Sequence, residues 1–202
     1  EIQKLFPAKG IFISKIIVTR GESQTGYDFN KGIKPTRILL KIDFNINKYE
    51  FFKKGVQLTA SNIRATKSAN SGIKDLNRLE NVLARKGISR NFFDAIMVDS
   101  NENICDCARS SLFIRYGNTL YTASNRSFGI HGVTKKIICE NVEKLKLTVD
   151  YSPLALNQLE KADEVIVSNS IVGALQVVGF KNTKWEKGTL ANSITNLLNE
   201  SA

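Results

Sequence analysis

Cysteine, histidine and long apolar runs are scarce in this sequence, and each scarcity excludes a class of protein. The 202 residues include three cysteines, an odd number that predicts reduced thiols rather than a disulfide framework. The single histidine, His131, argues against a histidine-rich zinc site and against a nucleophile activated by an imidazole. No apolar run approaches the length of a membrane span, and residues 1–10 do not resemble a signal peptide. We therefore expect a cytoplasmic protein with no metal site and no membrane partner.

Positive charge is abundant but dispersed. The formal net charge is +10 at pH 7, and a basic surface attracts polyanions. The lysines are scattered along the chain, and they form no basic run interleaved with aromatic residues of the kind that binds single-stranded nucleic acid. The pattern therefore favours an anionic small molecule over nucleic acid as the ligand.

Hydrophobic periodicity predicts an α+β fold. Alternating β-branched residues indicate strands over 10–21, 36–46 and 54–65, short hairpin strands over 92–124, and a further pair of strands over 162–180. Helical spacing indicates amphipathic helices within 71–88 and 129–145, a short helix from Ser152 to Leu159, and a C-terminal helix within 187–201.

Lys74 is the first of three places that could carry chemistry. It follows a Gly-Ile pair at the predicted start of a helix, and its neighbours Ile73 and Leu76 are apolar. Burial among them would lower the pKa of the ammonium group and make the lysine a nucleophile. The simpler interpretation is a surface lysine, because a single lysine is a weak signal.

Two further segments suit a phosphate group. In GIHGVTKK, 129–136, two glycines precede a helix whose free N–H groups and Thr134 hydroxyl could bind an anion, although an ordinary glycine-containing loop fits equally well. In VSNSIVGAL, 167–175, Ser170 could reach the same phosphate, although the segment alone is more simply a capped turn. A reactive lysine with a phosphate site is the arrangement that a pyridoxal-phosphate enzyme requires.

Six motifs in order resemble those of the fold-type IV pyridoxal-phosphate enzymes, the class IV aminotransferase-like family. They run from Arg20 towards the C-terminus and read TRGESQTGY, GIKDLNRLENVLAR, VDSNENICDCARSSLFI, NTLYTAS, GIHGVTKK and ADEVIVSNSIVGALQV. Within the family, the Asn-Arg-Leu-Glu after Lys74 is most similar to the 4-amino-4-deoxychorismate lyase branch. The resemblance implies a two-domain fold, with 1–47 as the remainder of a small α/β domain and 48–202 as the large cofactor-binding domain, in a homodimer.

The resemblance also implies roles for individual residues. Lys74 is the catalytic lysine that forms the Schiff base with pyridoxal phosphate, and Asp106 faces the pyridine nitrogen. The other implied contacts are Ile130 on the ring face, Val133, Thr134, Ser170 and Ile171 at the phosphate, and Tyr27 and Asn169 at the substrate. The implied reaction removes pyruvate from the dianionic 4-amino-4-deoxychorismate and releases 4-aminobenzoate, a folate precursor.

Two departures from the family pattern keep alternatives open. The residue opposite the pyridine nitrogen is usually a glutamate followed by glycine, whereas here Asp106 is followed by Cys107. Family members also begin with a further segment that carries an arginine for the phosphate, and residues 1–10 resemble the helix that leads into the middle of the small domain, which would then be incomplete at its N-terminus. The alternatives are a branched-chain or D-amino acid aminotransferase of the same family, and an inactive cofactor-free remnant or binding module.

Overall fold

The chain divides into two compact units, residues 1–49 and 50–202. The structure, a computed structural model, describes residues 6, 10–23, 26–29, 31–44, 51–126 and 128–201. The sequence placed the domain boundary between residues 47 and 48, close to this division. The helix expected near the start of the chain lies outside the described residues.

The first unit contains an antiparallel hairpin. Strand β1 (Phe12–Val18) pairs with strand β2 (Arg37–Asp43), and Ile16 lies opposite Leu39. The β-branched residues that predicted these strands remain largely exposed, with Ile16 at 57% and Val18 at 61%. Backbone pairing, more than burial, therefore accounts for this hairpin.

The second unit is built on a mixed nine-stranded sheet. Its strands are β3 (Val56–Ala60), β4 (Asp94–Val98), β5 (Ile104–Cys107), β6 (Ser111–Tyr116), β7 (Thr119–Tyr121), β8 (Thr148–Asp150), β9 (Glu164–Asn169), β10 (Gly173–Phe180) and β11 (Thr183–Lys184). Their order is β5-β4-β3-β10-β9-β6-β7-β8, with β11 paired to β10. β3 runs parallel to β4 and β10, and β7 runs parallel to β8. The other neighbouring pairs are antiparallel.

Helices lie among these strands, so the expected α+β class is confirmed. They are α1 (Phe51–Lys54), α2 (Leu79–Lys86), α3 (Val133–Asn141), α4 (Leu190–Glu200) and the 3-10 helices Val142–Leu145 and Leu156–Lys161. None of the helices that the structure describes is long and apolar enough to cross a membrane.

Strand β9 shows how the core is divided. Successive side chains of a strand point to opposite faces of the sheet. Ile166 packs with residues of α3 and α4, such as Ile138 and Ile194. Val165 and Val167 pack in the other cluster, with Leu159 of the second 3-10 helix. Both faces are covered, which explains why β9 is apolar without alternation.

The helix expected within 71–88 is shorter than its apolar spacing suggested. Gly87 ends it as predicted, but it begins only at Leu79, and Lys74 lies in an irregular segment before it. Its predicted apolar face is not buried, since Leu76 is 70% exposed and Leu79 is 64% exposed. Tertiary bonds of Gly72 to Gly129 and His131, and local bonds of Arg78 within the segment, hold residues 72–78 out of the helix.

Two smaller expectations are also wrong. The helix predicted from Ser152 begins at Leu156, because the Ser152 N–H donates to Oδ1 of Asp150 (2.7 Å) and forms a turn there instead. In the amphipathic helix predicted within 129–145, the apolar residues Val133 and Ile138 do not share a buried face, because Val133 is 70% exposed while Ile138 is fully buried. Val133 stands at the first position of α3, beyond the part of the helix that covers the sheet.

Candidate active site

Most of the site residues predicted from the sequence line one cavity of the second unit. Its volume is about 610 Å³. The predicted site residues that line it are Lys74, Asp106, Ile130, Val133, Thr134, Asn169 and Ser170. Tyr27 belongs to the first unit, where its side chain is fully exposed, and Ile171 is half-exposed outside the cavity lining. The roles assigned to these residues remain predictions, but seven of them share one space.

A backbone bridge connects the Lys74 segment to the glycine-containing loop before α3. The Gly72 N–H donates to the Gly129 carbonyl (3.1 Å), and the His131 N–H donates to the Gly72 carbonyl (2.8 Å). Gly72 has φ +88°, and a Cβ at this position would lie 2.0 Å from the His131 ring. Only glycine tolerates both the positive φ and the lack of space for a Cβ. Gly72 therefore allows the Lys74 segment to pair with the loop before α3.

The Lys74 side chain itself is exposed to the cavity and solvent. The apolar neighbours that could have buried it do not, because Ile73 is 61% exposed and Leu76 is 70% exposed. Arg78 closes the segment by donating to the Ile73 carbonyl and by approaching Oδ1 of Asp75 at 3.4 Å. Lys74 therefore lies between two anchored points of the backbone, at residues 72 and 78.

Asp106, on β5, is the buried carboxylate of the cavity. Its side chain accepts the Leu112 N–H at Oδ1 (2.8 Å) and the Asn125 side-chain amide at Oδ2 (3.2 Å). Burial raises the pKa of Asp106 to about 6, against the opposing effects of the Lys135 charge and of these two hydrogen bonds. The carboxylate is therefore ionised at neutral pH, and each oxygen keeps acceptor capacity for a ligand.

A second buried charge lies near this carboxylate. It was not predicted from the sequence. Lys135 is 6% exposed, and its ammonium group donates to Oδ1 of Asn125 and to the Ala123 carbonyl. Burial lowers the pKa of Lys135, and the Asp106 charge opposes that change. The sequence did contain a signal, because Lys135 precedes the core residues Ile138 and Val142 at helical spacing.

The N-terminus of α3 and a buried serine form a polar part of the cavity. Gly132 precedes the helix with an extended backbone, and no side chain caps its first turn. Ser168 is 1% exposed, and its hydroxyl has no hydrogen-bond partner in the described part of the chain. It lies opposite Ser111 across β9 and β6, so the two side chains share a face of the sheet.

This arrangement suits an anion. The first N–H groups of a helix have no partners within it and carry a partial positive charge, which favours phosphate. A buried hydroxyl without a partner is unfavourable until something binds it, and Ser168 lines the cavity. The sequence motif indicated Ser170 and not Ser168, although both occur in the same segment.

Asn169 holds the turn after β9. Its side-chain oxygen accepts the N–H groups of Ile171 (2.9 Å) and Val172 (3.1 Å), and its amide donates to Oγ of Ser110 (3.3 Å). The Ile171 N–H that the resemblance assigned to the phosphate therefore already has a partner. Phosphate binding by Ile171 and substrate binding by Asn169 stay predictions, and each requires one of these bonds to exchange.

The residues around the cavity fit the chemistry of pyridoxal phosphate. A protonated ring nitrogen requires a carboxylate, which Asp106 supplies, and the aldehyde requires an accessible amine, which Lys74 supplies. The phosphate requires donors, which the first turn of α3 and the orphaned Ser168 hydroxyl supply.

Known proteins are similar to this chain in sequence and in fold. The family model for amino-transferase class IV matches residues 1–180. An aminodeoxychorismate lyase of Vibrio harveyi is 26% identical over 168 residues, which are 82% of this chain and 62% of that protein. A D-alanine aminotransferase of Listeria monocytogenes is 28% identical over 127 residues, which are 62% of this chain and 43% of that protein.

A solved structure has a similar fold. The crystal structure of 4-amino-4-deoxychorismate lyase from Pseudomonas aeruginosa matches with a TM-score of 0.85 and 30% identity, covering 93% of this chain and 70% of that one. The chain spans less than two thirds of the length of both curated relatives.

Proposed function

We propose that this chain, which belongs to the class IV aminotransferase family and has its fold-type IV fold, acts as a pyridoxal-phosphate-dependent lyase on 4-amino-4-deoxychorismate. The products are 4-aminobenzoate and pyruvate, and the reaction is a step of folate biosynthesis. One observation carries the proposal: Lys74, Asp106 and the first turn of α3 line the same cavity. The similarity to the lyase from Pseudomonas aeruginosa supports this choice of reaction.

The residues of the cavity then have separate tasks. The N–H groups of Val133 and Thr134, with the hydroxyls of Thr134, Ser168 and Ser170, hold the phosphate. Ile130 packs against the ring. When bound, pyridoxal phosphate supplies an electron-withdrawing ring that stabilises negative charge beside the substrate nitrogen.

Lys74 and Asp106 handle the protons. The Lys74 amine would hold the cofactor, and as a free amine it would accept the proton of the amine-bearing carbon of the substrate. The Asp106 carboxylate accepts the hydrogen bond of the ring nitrogen and keeps that nitrogen protonated. We assign substrate contacts to Tyr27 and Asn169. The net charge of +10 favours the approach of a dianionic substrate.

We also propose that the protein is a cytoplasmic homodimer. The support lies in the segment that carries Lys74, where Leu76, Leu79 and Val82 are 70%, 64% and 59% exposed. Clustered apolar side chains of this kind mark interaction surfaces. Sedimentation of the protein and of Leu79→Glu tests the dimer, which we expect the glutamate to dissociate. A monomer in both cases would refute it.

A labelling experiment tests the cofactor assignment. Pyridoxal phosphate is added to the protein, the visible absorbance is recorded, the adduct is reduced with borohydride and the modified peptide is mapped. We expect label on Lys74, its loss in Lys74→Ala and its retention in Lys67→Ala, which removes an exposed lysine of the same loop outside the cavity lining. Label spread equally over surface lysines would contradict the cofactor assignment. It would favour the alternatives of an inactive cofactor-free remnant or a binding module.

A product assay separates the lyase from its rival. The similarity to the D-alanine aminotransferase of Listeria monocytogenes favours transamination as the second candidate. A lyase releases pyruvate from 4-amino-4-deoxychorismate without an added keto acid. An aminotransferase instead consumes a keto acid and releases one from the amino donor. Keto-acid dependence of all product formation would therefore refute the lyase proposal.

A further inference from the structure

Lys135 is a buried cation that the proposed reaction does not use. It lies in the first turn of α3 and is 6% exposed, whereas the next residue, Lys136, has a 71% exposed side chain. A buried ammonium group is unfavourable unless hydrogen bonds and an opposite charge compensate it. Two of the Lys135 hydrogen bonds go to the Asn125 side chain and the Ala123 carbonyl. The opposite charge belongs to Asp106, whose effect favours the protonated lysine.

Asn125 connects the two charges. Its side-chain oxygen accepts from the Lys135 ammonium group, so its amide nitrogen must face the other way. That nitrogen donates to Oδ2 of Asp106 (3.2 Å) and to the Phe128 carbonyl (3.2 Å). Since an ammonium group can only donate and an ionised carboxylate can only accept, the asparagine has one orientation that satisfies both neighbours.

The backbone around this connection has little freedom. Asn125 has φ +54°, a left-handed conformation that asparagine tolerates better than most residues. A Cβ at Gly129, which has φ +75°, would lie 2.3 Å from the Asn125 amide nitrogen. The loop between β7 and α3 is therefore shaped around the amide that contacts Asp106.

We propose that Lys135, acting through Asn125, is the positioning residue that keeps Asp106 ionised and directed at the ring nitrogen of the cofactor. The role of the ring nitrogen rests on the proposed function. The lysine-asparagine-aspartate connection does not, because it consists of hydrogen bonds between residues of this chain.

The other ionisable groups near this connection act on different members of it. The Asp94 carboxylate, on the neighbouring strand β4, opposes ionisation of Asp106. The thiols of Cys105 and Cys107 flank Asp106 on β5, and burial raises the pKa of both. The Cys139 thiol faces Lys135 from the same helix. Without the Lys135 charge, only the two hydrogen bonds to Asp106 would oppose the rise in its pKa that burial and the Asp94 charge cause.

A titration of the cofactor-free protein tests the inference. Aspartate carboxyl groups are labelled with carbon-13, and Asp106→Asn identifies the Asp106 signal. We expect a midpoint at pH about 6 in the parent chain, a rise of at least about one pH unit in Lys135→Met because an opposite charge is lost, and no change in Lys136→Met. Lys135→Arg keeps the charge and should retain most of the original midpoint. An unchanged midpoint in Lys135→Met would overturn the inference.

A second variant covers the case in which Lys135→Met does not fold. Asn125→Asp keeps an acceptor for Lys135 and a residue that tolerates positive φ, but it replaces the amide donor with a carboxylate oxygen facing Asp106. We expect a higher Asp106 midpoint in this variant too, and an unchanged or lower midpoint would count against the connection.

The cofactor spectrum separates failure of this inference from failure of the proposed function. If the parent chain forms no borohydride-reducible adduct at Lys74, the proposed function fails, while the carboxyl titration still decides the role of Lys135. If the adduct forms, its absorbance should change at a different pH in Lys135→Met and at the original pH in Lys136→Met. Identical pH profiles in both variants would mean that Lys135 does not act on the ring nitrogen.

Discussion

Replacing Asp106 with asparagine tests the ionisation of the site through the stability of the fold. Burial raises the pKa of Asp106 from 3.8 to about 6. A carboxyl group with a higher pKa in the folded state holds its proton more tightly there, so ionisation at rising pH destabilises the folded chain. Each pH unit between the two pKa values corresponds to about 1.4 kcal/mol. The destabilisation is therefore absent well below pH 3.8 and reaches about 3 kcal/mol above pH 6.

Urea unfolding of the parent chain and of Asp106→Asn, at pH 4 and at pH 8, measures this effect. Asparagine cannot ionise, so the stability of the variant relative to the parent should rise by about 2 kcal/mol between the two pH values, since the unfolded carboxyl is already partly ionised at pH 4. Altered hydrogen bonds with Asn125 contribute similarly at both pH values and cancel. A difference that is constant, or that falls with pH, would refute the claim that burial dominates at this carboxylate.

Four further substitutions test the packing of the second unit through urea unfolding. Gly72→Ala should lose about 3 kcal/mol, because its Cβ would lie 2.0 Å from the His131 ring. Gly117→Ala, which has positive φ but open space, should lose only about 1 kcal/mol; equal losses would contradict the steric account. Ser168→Ala should stabilise the cofactor-free chain by about 1 kcal/mol, because an unpartnered buried hydroxyl is removed, and should weaken pyridoxal-phosphate binding; lower stability would show that the hydroxyl is bonded. Ile138→Ala should lose about 2–5 kcal/mol, since that side chain is fully buried; a loss below about 1 kcal/mol would contradict its place in the core.

The strands were predictable because their signals are local. β-Branched alternation and turn residues located β1, β2 and the hairpins between β4 and β7 within a few residues. The start of α2 was not predictable. Apolar spacing continues through Leu76, whereas the backbone there is held by long-range bonds of Gly72 and by the local bond from Arg78 to the Ile73 carbonyl. Which side chains are covered also depends on the third dimension, as the exposed Leu79 shows.

The candidate site, like the fold, could be predicted from the sequence only in part. Its motifs could be recognised from the sequence, because each is a contiguous segment with a lysine, glycines or hydroxyls. The adjacent Lys135 and Lys136 look alike in the sequence, yet one is buried and the other exposed. The link between Lys135 and Asp106 could not be predicted, because it passes through Asn125 in another loop.

Aspartate at position 106, where the family usually has glutamate, is matched to its surroundings. Its two oxygens reach the Leu112 N–H and the Asn125 amide at 2.8 and 3.2 Å. One more methylene would carry the carboxylate past both donors, so the buried Leu112 N–H and one bond of the Asn125 amide would lose their acceptor. We therefore expect Asp106→Glu to lower the free energy of unfolding by about 1–3 kcal/mol and to weaken cofactor binding, measured by urea unfolding and by titration with pyridoxal phosphate. If the glutamate variant were more stable and bound the cofactor more tightly, Asp106 would be a defect in the site, and the contacts with Leu112 and Asn125 would not compensate for its shorter side chain.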